Sequence, residues 1–149
     1  LTVVGLLDEV YAEIGYFLEV NQSKVFEGAS GAAQIAKLAD SYGSNPPKEV
    51  DGSAVTNVRD FRKDEIKDEE GEIVSKEKML FVDLADGRSF AVRPSGTEPK
   101  IKYYMFGRGV PSAGQKLSAD ELAAAKAKVS AGLDSMWAWL EKDIDARLA

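Results

Sequence analysis

The feature that most constrains the fold is a closely spaced set of three predicted strands in the second half of the chain. Met79 to Leu84 and Ser89 to Val92 are short apolar runs, and Asp86-Gly87 lies between them. That dipeptide is typical of a two-residue type I′ hairpin. After a loop at Pro94 to Pro99, a third run from Lys100 to Phe106 carries two adjacent tyrosines. We therefore expect neighbouring strands of an antiparallel sheet here.

Stripes of apolar residues at helical spacing predict three helices around these strands. The first stripe lies near the N-terminus, the second has Gly43 as its stop, and the third follows a capping box of Ser118 and Glu121. The members of the three stripes are, in order, Val3, Leu7, Val10, Ile14 and Phe17; Ala32, Ile35, Ala36, Leu38, Ala39 and Tyr42; and Leu122, Val129, Leu133, Trp137, Leu140, Ile144 and Leu148.

Two more segments, Leu18 to Phe26 and Ala54 to Phe61, are candidate strands, and the second is rich in β-branched residues. The segment from Arg62 to Lys78 is dense in charge, so we expect a solvated connection, with a short strand around Ile73 and Val74. Helices packed on one side of an antiparallel sheet fit this order of elements. The predicted class is α+β, with a sheet of about four strands.

The amino-acid composition excludes several kinds of catalytic and metal-binding site. The chain has no cysteine and no histidine, and its formal net charge is −6. Disulfides, thiolate zinc sites, cysteine nucleophiles and histidine bases are therefore excluded. An acidic chain gains little from a polyanion, so neither nucleic acid nor a membrane is an expected partner, and the cytoplasm is the expected location. The first residue is Leu rather than Met, which suggests a chain cut from something longer.

The loop from Arg93 to Lys100 has the composition of an anion site. Arg93 offers a fixed fork of donors suited to phosphate or carboxylate, and Ser95 and Thr97 add hydroxyl donors. Gly96 lets the backbone approach a ligand and permits a positive φ. The same residues are also ordinary turn formers, so composition alone leaves a plain turn between strands as an alternative.

The octapeptide Arg93-Pro94-Ser95-Gly96-Thr97-Glu98-Pro99-Lys100, followed by Ile101-Lys102-Tyr103-Tyr104-Met105, resembles the signature of the last domain of the α-D-phosphohexomutases. This family includes the phosphoglucomutases and phosphomannomutases. The resemblance covers roughly Leu6 to Gly107. It implies a TATA-box-binding-protein-like domain at 20–109, a helix leading in from a preceding domain at 1–19, and a C-terminal helical extension at 110–149.

The resemblance also implies a function. Family members interconvert hexose 1-phosphate and 6-phosphate through a phosphoserine and a bisphosphorylated sugar, with a magnesium ion held outside this domain. By position, Arg93, Ser95, Gly96 and Thr97 would bind the phosphate that is not reacting, and Lys102 would add a cation from the next strand. The implied partners are a phosphosugar and the remaining domains of the same enzyme.

The departures from the family limit that implication. Without histidine the chain lacks the usual Ser-His phosphoserine segment, and we find no Asp-x-Asp-x-Asp magnesium loop and no Gly-Glu-x-Ser-Gly sugar loop. No catalytic residue and no metal ligand is therefore expected here, and the chain alone should be inactive. A stand-alone phosphate-binding or regulatory module, and the same domain from a pentose-phosphate or phosphoglucosamine mutase, remain alternatives.

Overall fold

A computed structural model describes residues 2–63, 67, 69–72 and 78–149. In chain order the elements are α1 (Val3–Ile14), β1 (Tyr16–Val25), α2 (Gly31–Ser44), β2 (Glu49–Val50), β3 (Ser53–Asp60), β4 (Leu80–Leu84), β5 (Ser89–Pro94), β6 (Lys100–Gly109) and α3 (Ala119–Leu148). The predicted α+β class is confirmed. The strand expected around Ile73 and Val74 lies outside the described residues.

Within the described residues the strands form one antiparallel sheet in the order β1-β6-β5-β4-β3-β2. The sheet therefore has six strands, whereas the sequence predicted about four. The difference arises at the two edges. The first strand, whose alternation is weak, is ten residues long and pairs along all of β6, from Tyr16 opposite Gly109 to Val25 opposite Lys100. At the other edge β2 has only two residues.

One face of the sheet is covered by α2 and α3, and the hydrophobic core lies between them. Alternate residues of the strands form the sheet side of this core, and residues at helical spacing form its helix side. The fully buried members of this core include Leu38, Tyr42, Val82, Phe90, Ile101, Tyr103, Met105, Leu133, Met136, Leu140 and Ile144. The predicted stripe of α3 is thereby confirmed as core-facing, with Met136 as a member that the sequence reading missed and Trp137 only partly buried.

Two tyrosines form a hydrogen bond inside this core. The Tyr103 hydroxyl donates to the Tyr42 hydroxyl over 3.0 Å, and burial raises the pKa of both groups above the ordinary value. The guanidinium of Arg147 lies 4.3 Å from the centre of the Tyr42 ring. Because the two buried hydroxyls are partners of each other, the core tolerates them.

Three local predictions were wrong in detail. The β4–β5 connection runs from Ala85 to Arg88 rather than over two residues, and Leu84 donates its backbone N–H to the carbonyl of Arg88. In this turn only Gly87 has a positive φ, of 92°, so the turn is not type I′.

Gly43 lies inside α2 rather than ending it. A Cβ there would overlap the guanidinium of Arg62, so the glycine serves close packing. The first helix ends at Ile14, and Phe17 belongs to β1.

The capping box before α3 is confirmed. Glu121 donates its backbone N–H to the Ser118 hydroxyl over 3.1 Å, and the Ser118 backbone N–H donates to the Glu121 carboxylate over 2.7 Å. These bonds satisfy donors that the first turn of a helix leaves free. They fix where a 30-residue helix begins.

The apolar stripe of α1 points away from this core. Ile14 is 60% exposed and Val3 is 85% exposed, and Leu6, Leu7 and Val10 are exposed as well. The opposite side of α1 contacts α3, where the ammonium of Lys126 lies 2.6 Å from the carboxylate of Asp8. The stripe is therefore a contiguous apolar surface, which soluble domains rarely leave uncovered.

Close packing of α3 on β6 depends on glycine. A Cβ at Gly107 would lie 2.8 Å from Cγ1 of Val129 and 3.3 Å from Cδ2 of Leu133. At Gly109 it would lie 3.0 Å from the Cβ of Ala125. The N-terminal half of α3 reaches the sheet only because these two strand positions have no side chain.

The substitution Gly107→Ala should lower the free energy of unfolding by about 1–3 kcal/mol, because the added methyl overpacks the α3–β6 contact. The measurement is urea denaturation followed by the fluorescence of the two tryptophans in α3. Gly132→Ala is the matched control, since a Cβ there meets only Cδ of Arg88 at an ordinary 3.7 Å. Within a helix that change should stabilise, by up to about 1 kcal/mol. Equal effects of the two substitutions would contradict the packing argument.

Candidate functional site

Two cations face each other across β5 and β6 at the end where the loop begins. Arg93 and Lys102 are cross-strand partners, and both point to the face of the sheet that the helices leave open. Arg93 is exposed and Lys102 is half-exposed. Among the residues that the structure describes, neither side chain has an ion pair. Lys102 is near enough to Glu98 to help lower the pKa of that carboxyl, but two adjacent cations without an ion pair still create a local potential that attracts an anion.

The loop between these strands is closed by its own backbone. Ser95 donates its N–H to the carbonyl of Lys100 over 2.9 Å, and Lys100 donates to the carbonyl of Glu98 over 2.8 Å. Phe26, just after β1, donates to the carbonyl of Pro99 over 2.9 Å. The loop is thus fixed at its base and tied to a third strand, while its tip is exposed.

The Ser95 hydroxyl organises the tip. Its oxygen accepts the backbone N–H groups of Thr97 and Glu98 over 3.4 and 3.3 Å. These bonds curl residues 95–98 into a serine turn and leave the hydroxyl proton of Ser95 free to be donated. The hydroxyl of Thr97 lies at the exposed tip beside it.

Gly96 does not use the backbone freedom that the sequence suggested. A positive φ is open to this glycine, but its φ is not positive. A Cβ built at Gly96 meets no atom within 4 Å. The space over this residue is open, so a ligand can approach the peptide closely where a side chain would obstruct it.

The remaining charges of the loop neutralise each other. The ammonium of Lys100 lies 2.9 Å from the carboxylate of Glu98. The hydrogen bond from Lys100 and its charge hold the pKa of Glu98 below the ordinary value. Lys100 is therefore engaged within the loop, and the cations available to an incoming anion are Arg93 and Lys102.

A cavity of about 500 Å³ separates the inner side of the loop from α2. Its loop wall runs from Pro94 to Pro99, its helix wall includes Ile35 and Ala36, and Arg62 and Asp40 line it as well. The wall is predominantly apolar, and Ser95, Gly96 and Thr97 of the loop line it together with Arg62 and Lys78.

Arg62, which lines that cavity, is engaged by carboxylates. Its guanidinium donates to Asp60 over 3.1 and 3.2 Å and to Asp40 over 3.2 Å. Asp60 is only 6% exposed. Burial by itself would raise the pKa of Asp60, but the side-chain and backbone hydrogen bonds from Arg62 outweigh it, and the net pKa lies below the ordinary value. Sequence reading missed this cluster, since nothing in a charged run indicates which members are buried.

A family model matches residues 33–125, and its description is phosphoglucomutase/phosphomannomutase, C-terminal domain. That range covers more than half of the chain and contains both the loop and the strands that hold it. The chain belongs to this family. The strands β2 to β6 and the loop between β5 and β6 therefore lie within the phosphoglucomutase/phosphomannomutase C-terminal domain.

Individual relatives agree with that assignment. Phosphoglucomutases of Staphylococcus aureus strains N315 and RF122 are 34% and 33% identical over 108 residues, which is 70% of this chain. The chain spans 20% of the length of those relatives. The open form of Paramecium pp63/parafusin, an exocytosis-sensitive phosphoprotein and phosphoglucomutase, matches 98% of this chain and 23% of its own, with 15% identity and a TM-score of 0.41.

The described residues hold neither a metal cluster nor a membrane span. No group of three or more acidic side chains among them is arranged to hold a metal ion, so we assign no metal ligand. Within the same residues, no helix combines the length and the apolarity needed to cross a bilayer.

The substitution Asp60→Asn should lower the free energy of unfolding at pH 7 by about 2 kcal/mol, because Arg62 loses its buried counter-charge. Since the folded pKa of Asp60 is depressed, the carboxylate stabilises the fold above its unfolded pKa of about 4. That contribution is lost as the pH falls through the lower folded pKa. Urea denaturation of both proteins between pH 7 and pH 2 measures the difference.

Asp83→Asn is the control for this experiment. Asp83 lies in the neighbouring strand and pairs with Arg59 over 3.5 Å at a much more exposed position. Exposed pairs contribute little, so the expected loss is below about 1 kcal/mol. If both variants behave alike, or if the deficit of Asp60→Asn persists at pH 2, the buried pair is not the cause.

Proposed function

We propose that this chain is the C-terminal domain that holds a substrate phosphate in an enzyme of the phosphoglucomutase/phosphomannomutase family. The observation that carries the proposal is the cross-strand pair of Arg93 and Lys102, neither of which forms an ion pair with a described carboxylate, at the base of an exposed loop. Membership of the family supports a phosphosugar as the source of the phosphate. A cytoplasmic setting is part of the same proposal.

Each residue would have a distinct role. The planar guanidinium of Arg93 would donate two hydrogen bonds to phosphate oxygens, and Lys102 would add a point charge beside it. The hydroxyls of Ser95 and Thr97 would donate from the tip. Gly96 would offer its backbone N–H, with open space above it. Glu98 would balance Lys100 rather than take part in binding.

The domain by itself should bind weakly. Charge-assisted hydrogen bonds contribute on the order of 1.5–3 kcal/mol each. Association costs at least about 4 kcal/mol, and further free energy is needed to order exposed side chains. With three or four such bonds, the surplus corresponds to millimolar affinity for a phosphosugar. Weak retention of the distal phosphate would orient the substrate in the intact enzyme and still permit release.

The whole enzyme would interconvert hexose 1-phosphate and 6-phosphate through a phosphoserine and a bisphosphorylated sugar. In that reaction this domain would hold the phosphate that is not being transferred. The phosphoserine segment and the magnesium ion that supports phosphoryl transfer would belong to other domains. The choice between glucose and mannose would also be made there, since sugar-reading loops of the family are absent from this sequence.

The exposed stripe of α1 supports docking of another domain. Residues 1–19 would be the helix that leads in from a preceding domain, 20–109 the phosphate-binding domain and 110–149 its helical extension. The stripe includes Val3, Leu7, Val10 and Ile14, all exposed in this chain. Burying such a surface against the rest of the enzyme would remove the apolar area from water.

The substitution Arg93→Gln should abolish measurable phosphate binding. We expect inorganic phosphate, titrated to tens of millimolar, to shift the backbone amide signals of Ser95 to Thr97 in the wild-type chain and to leave them unmoved in the variant. Two-dimensional NMR of the isotope-labelled chain is the measurement. The physical reason is the loss of the only planar, bidentate donor at the loop.

Arg108→Gln is the matched control. Arg108 is also an exposed arginine on the same face of β6, but it lies six residues from Lys102, about 20 Å along the strand. The control should retain the wild-type response. Equal weakening in both variants would indicate a diffuse electrostatic effect rather than a site.

The isolated chain should show no mutase turnover. With magnesium, glucose 1-phosphate and a glucose bisphosphate primer, formation of glucose 6-phosphate should not exceed the blank, because the chain supplies no phosphoserine segment. Phosphoglucomutase from Staphylococcus aureus, assayed in the same buffer, is the positive control. Turnover that copurifies with the chain through two chromatographic steps would refute the assignment of chemistry to other domains.

A further inference from the structure

Tyr104 lies on the open face of the sheet, next to the loop and the cation pair. Strand alternation places Tyr104 on the same face as Lys102, about 7 Å further along β6. Tyr104 lies opposite Ala91 in β5, and Lys102 lies opposite Arg93. The ring is therefore the next position on this face after the cation pair.

Tyr104 is half-exposed beside a buried alanine. Ala91 points to the open face yet is only 3% exposed. Its cross-strand partners on that face are Phe81 and Tyr104, whose longer side chains flank it. Part of the Tyr104 side chain therefore reaches solvent next to the cation pair.

Two other aromatic rings of this face, those of Phe81 and Phe106, are already engaged, while Phe17 lies exposed opposite Arg108, far along β6 from the cation pair. Phe106 stacks on Phe81 with ring centres 5.7 Å apart, and the guanidinium of Arg59 lies 4.5 Å from the centre of the Phe81 ring. Tyr104 has no ring or cation partner, and its hydroxyl has no hydrogen bond, among the residues that the structure describes. Its neighbour Tyr103, by contrast, is buried and bonded to Tyr42.

Polar side chains border this ring on the side of β1. Asn21 is the cross-strand partner of Tyr104, and Ser23 is the partner of Lys102. Both are exposed. Asn21 offers two amide donors and a carbonyl acceptor, and Ser23 offers a hydroxyl. The face therefore combines an apolar platform, hydrogen-bonding groups beside it and two cations at one end.

We propose that Tyr104 and Asn21 form a sugar-contacting extension of the phosphate site. The inference rests on the proposed phosphate site at Arg93 and Lys102. A hexose carries apolar C–H groups on its ring faces and hydroxyls at its edge, so it is complementary to an aromatic surface bordered by an amide. With the phosphate held at the cation pair, its sugar packs on Tyr104 and a ring hydroxyl bonds to Asn21. The domain then recognises a phosphorylated sugar better than phosphate alone.

The test compares inorganic phosphate with glucose 6-phosphate in NMR titrations of the full chain. Both ligands should shift the amide signals of Ser95 to Thr97. Only glucose 6-phosphate should shift the ring signals of Tyr104 and the side-chain amide of Asn21. These signals come from the wild-type chain, so this arm does not depend on whether any variant folds.

A substitution adds an affinity readout. Tyr104→Leu keeps an apolar side chain over Ala91 but removes the aromatic surface, and it should weaken glucose 6-phosphate about threefold while leaving phosphate affinity unchanged. Phe106→Leu is the control on the same strand and face, and it should change neither affinity. Tyr104→Phe should retain the wild-type preference for the sugar phosphate, because the ring remains.

The outcomes separate the two proposals. If glucose 6-phosphate shifts the loop but leaves Tyr104 and Asn21 unmoved, or if Tyr104→Leu weakens both ligands equally, the sugar contact is overturned and the phosphate site stands. If neither ligand shifts the loop up to tens of millimolar, the proposed function fails and the sugar contact fails with it.

Discussion

The pairing of β6 with its two neighbours is the interaction on which the rest of the structure depends. Its register with β5 sets Lys102 opposite Arg93, and its register with β1 sets Asn21 and Ser23 beside the same face. On the other face the same strand buries Ile101, Tyr103 and Met105. A one-residue slip would exchange these faces, placing lysines in the core and apolar residues at the site. The register of β6 therefore determines both the packing of the core and the geometry of the site.

The charges around the loop follow from that arrangement. The chain is acidic overall, with a formal net charge of −6, yet the described carboxylates near the loop are already engaged. Glu98 pairs with Lys100, and Asp60 and Asp40 engage Arg62. The charges left without an ion pair at the base of the loop are those of Arg93 and Lys102. A net acidic protein can thus present a local anion site, because screening limits the reach of distant charges to about 10 Å.

Much of the fold could be predicted from local patterns. The Ser118 and Glu121 capping box, the α3 stripe and the strands around the loop are encoded within a few residues of themselves. One failure depends on a contact distant in sequence. Gly43 looked like a helix stop, whereas its missing side chain admits Arg62, nineteen residues later in the chain. The other failure is local, since Asp86 does not adopt the positive φ that a type I′ turn needs before Gly87.

For the site, too, the residue types could be predicted from the sequence, whereas several of their contacts could not. Residue types identified Arg93, Ser95, Gly96 and Thr97 as candidates, since phosphate chemistry needs guanidinium, hydroxyl and backbone donors. The freedom of Tyr104 could not be predicted, because it depends on which strands are neighbours. The engagement of Lys100 by Glu98 depends on how the loop between them folds. Burial in particular is a property of the assembled sheet. Ala91 and Tyr104 look unremarkable in the sequence, and only their pairing reveals an aromatic platform.

A phosphate site on one exposed loop suits an enzyme whose substrate must turn around. Tight binding of the spectator phosphate would stabilise substrate and transition state equally, which lowers KM without raising kcat. It would also slow reorientation of a bisphosphorylated sugar. Two cations on strands and a few donors on a loop would orient the substrate without binding it tightly. Under the proposed function, the rest of the affinity would come from surfaces that meet when domains close, and the exposed apolar stripe of α1 supports such a neighbour.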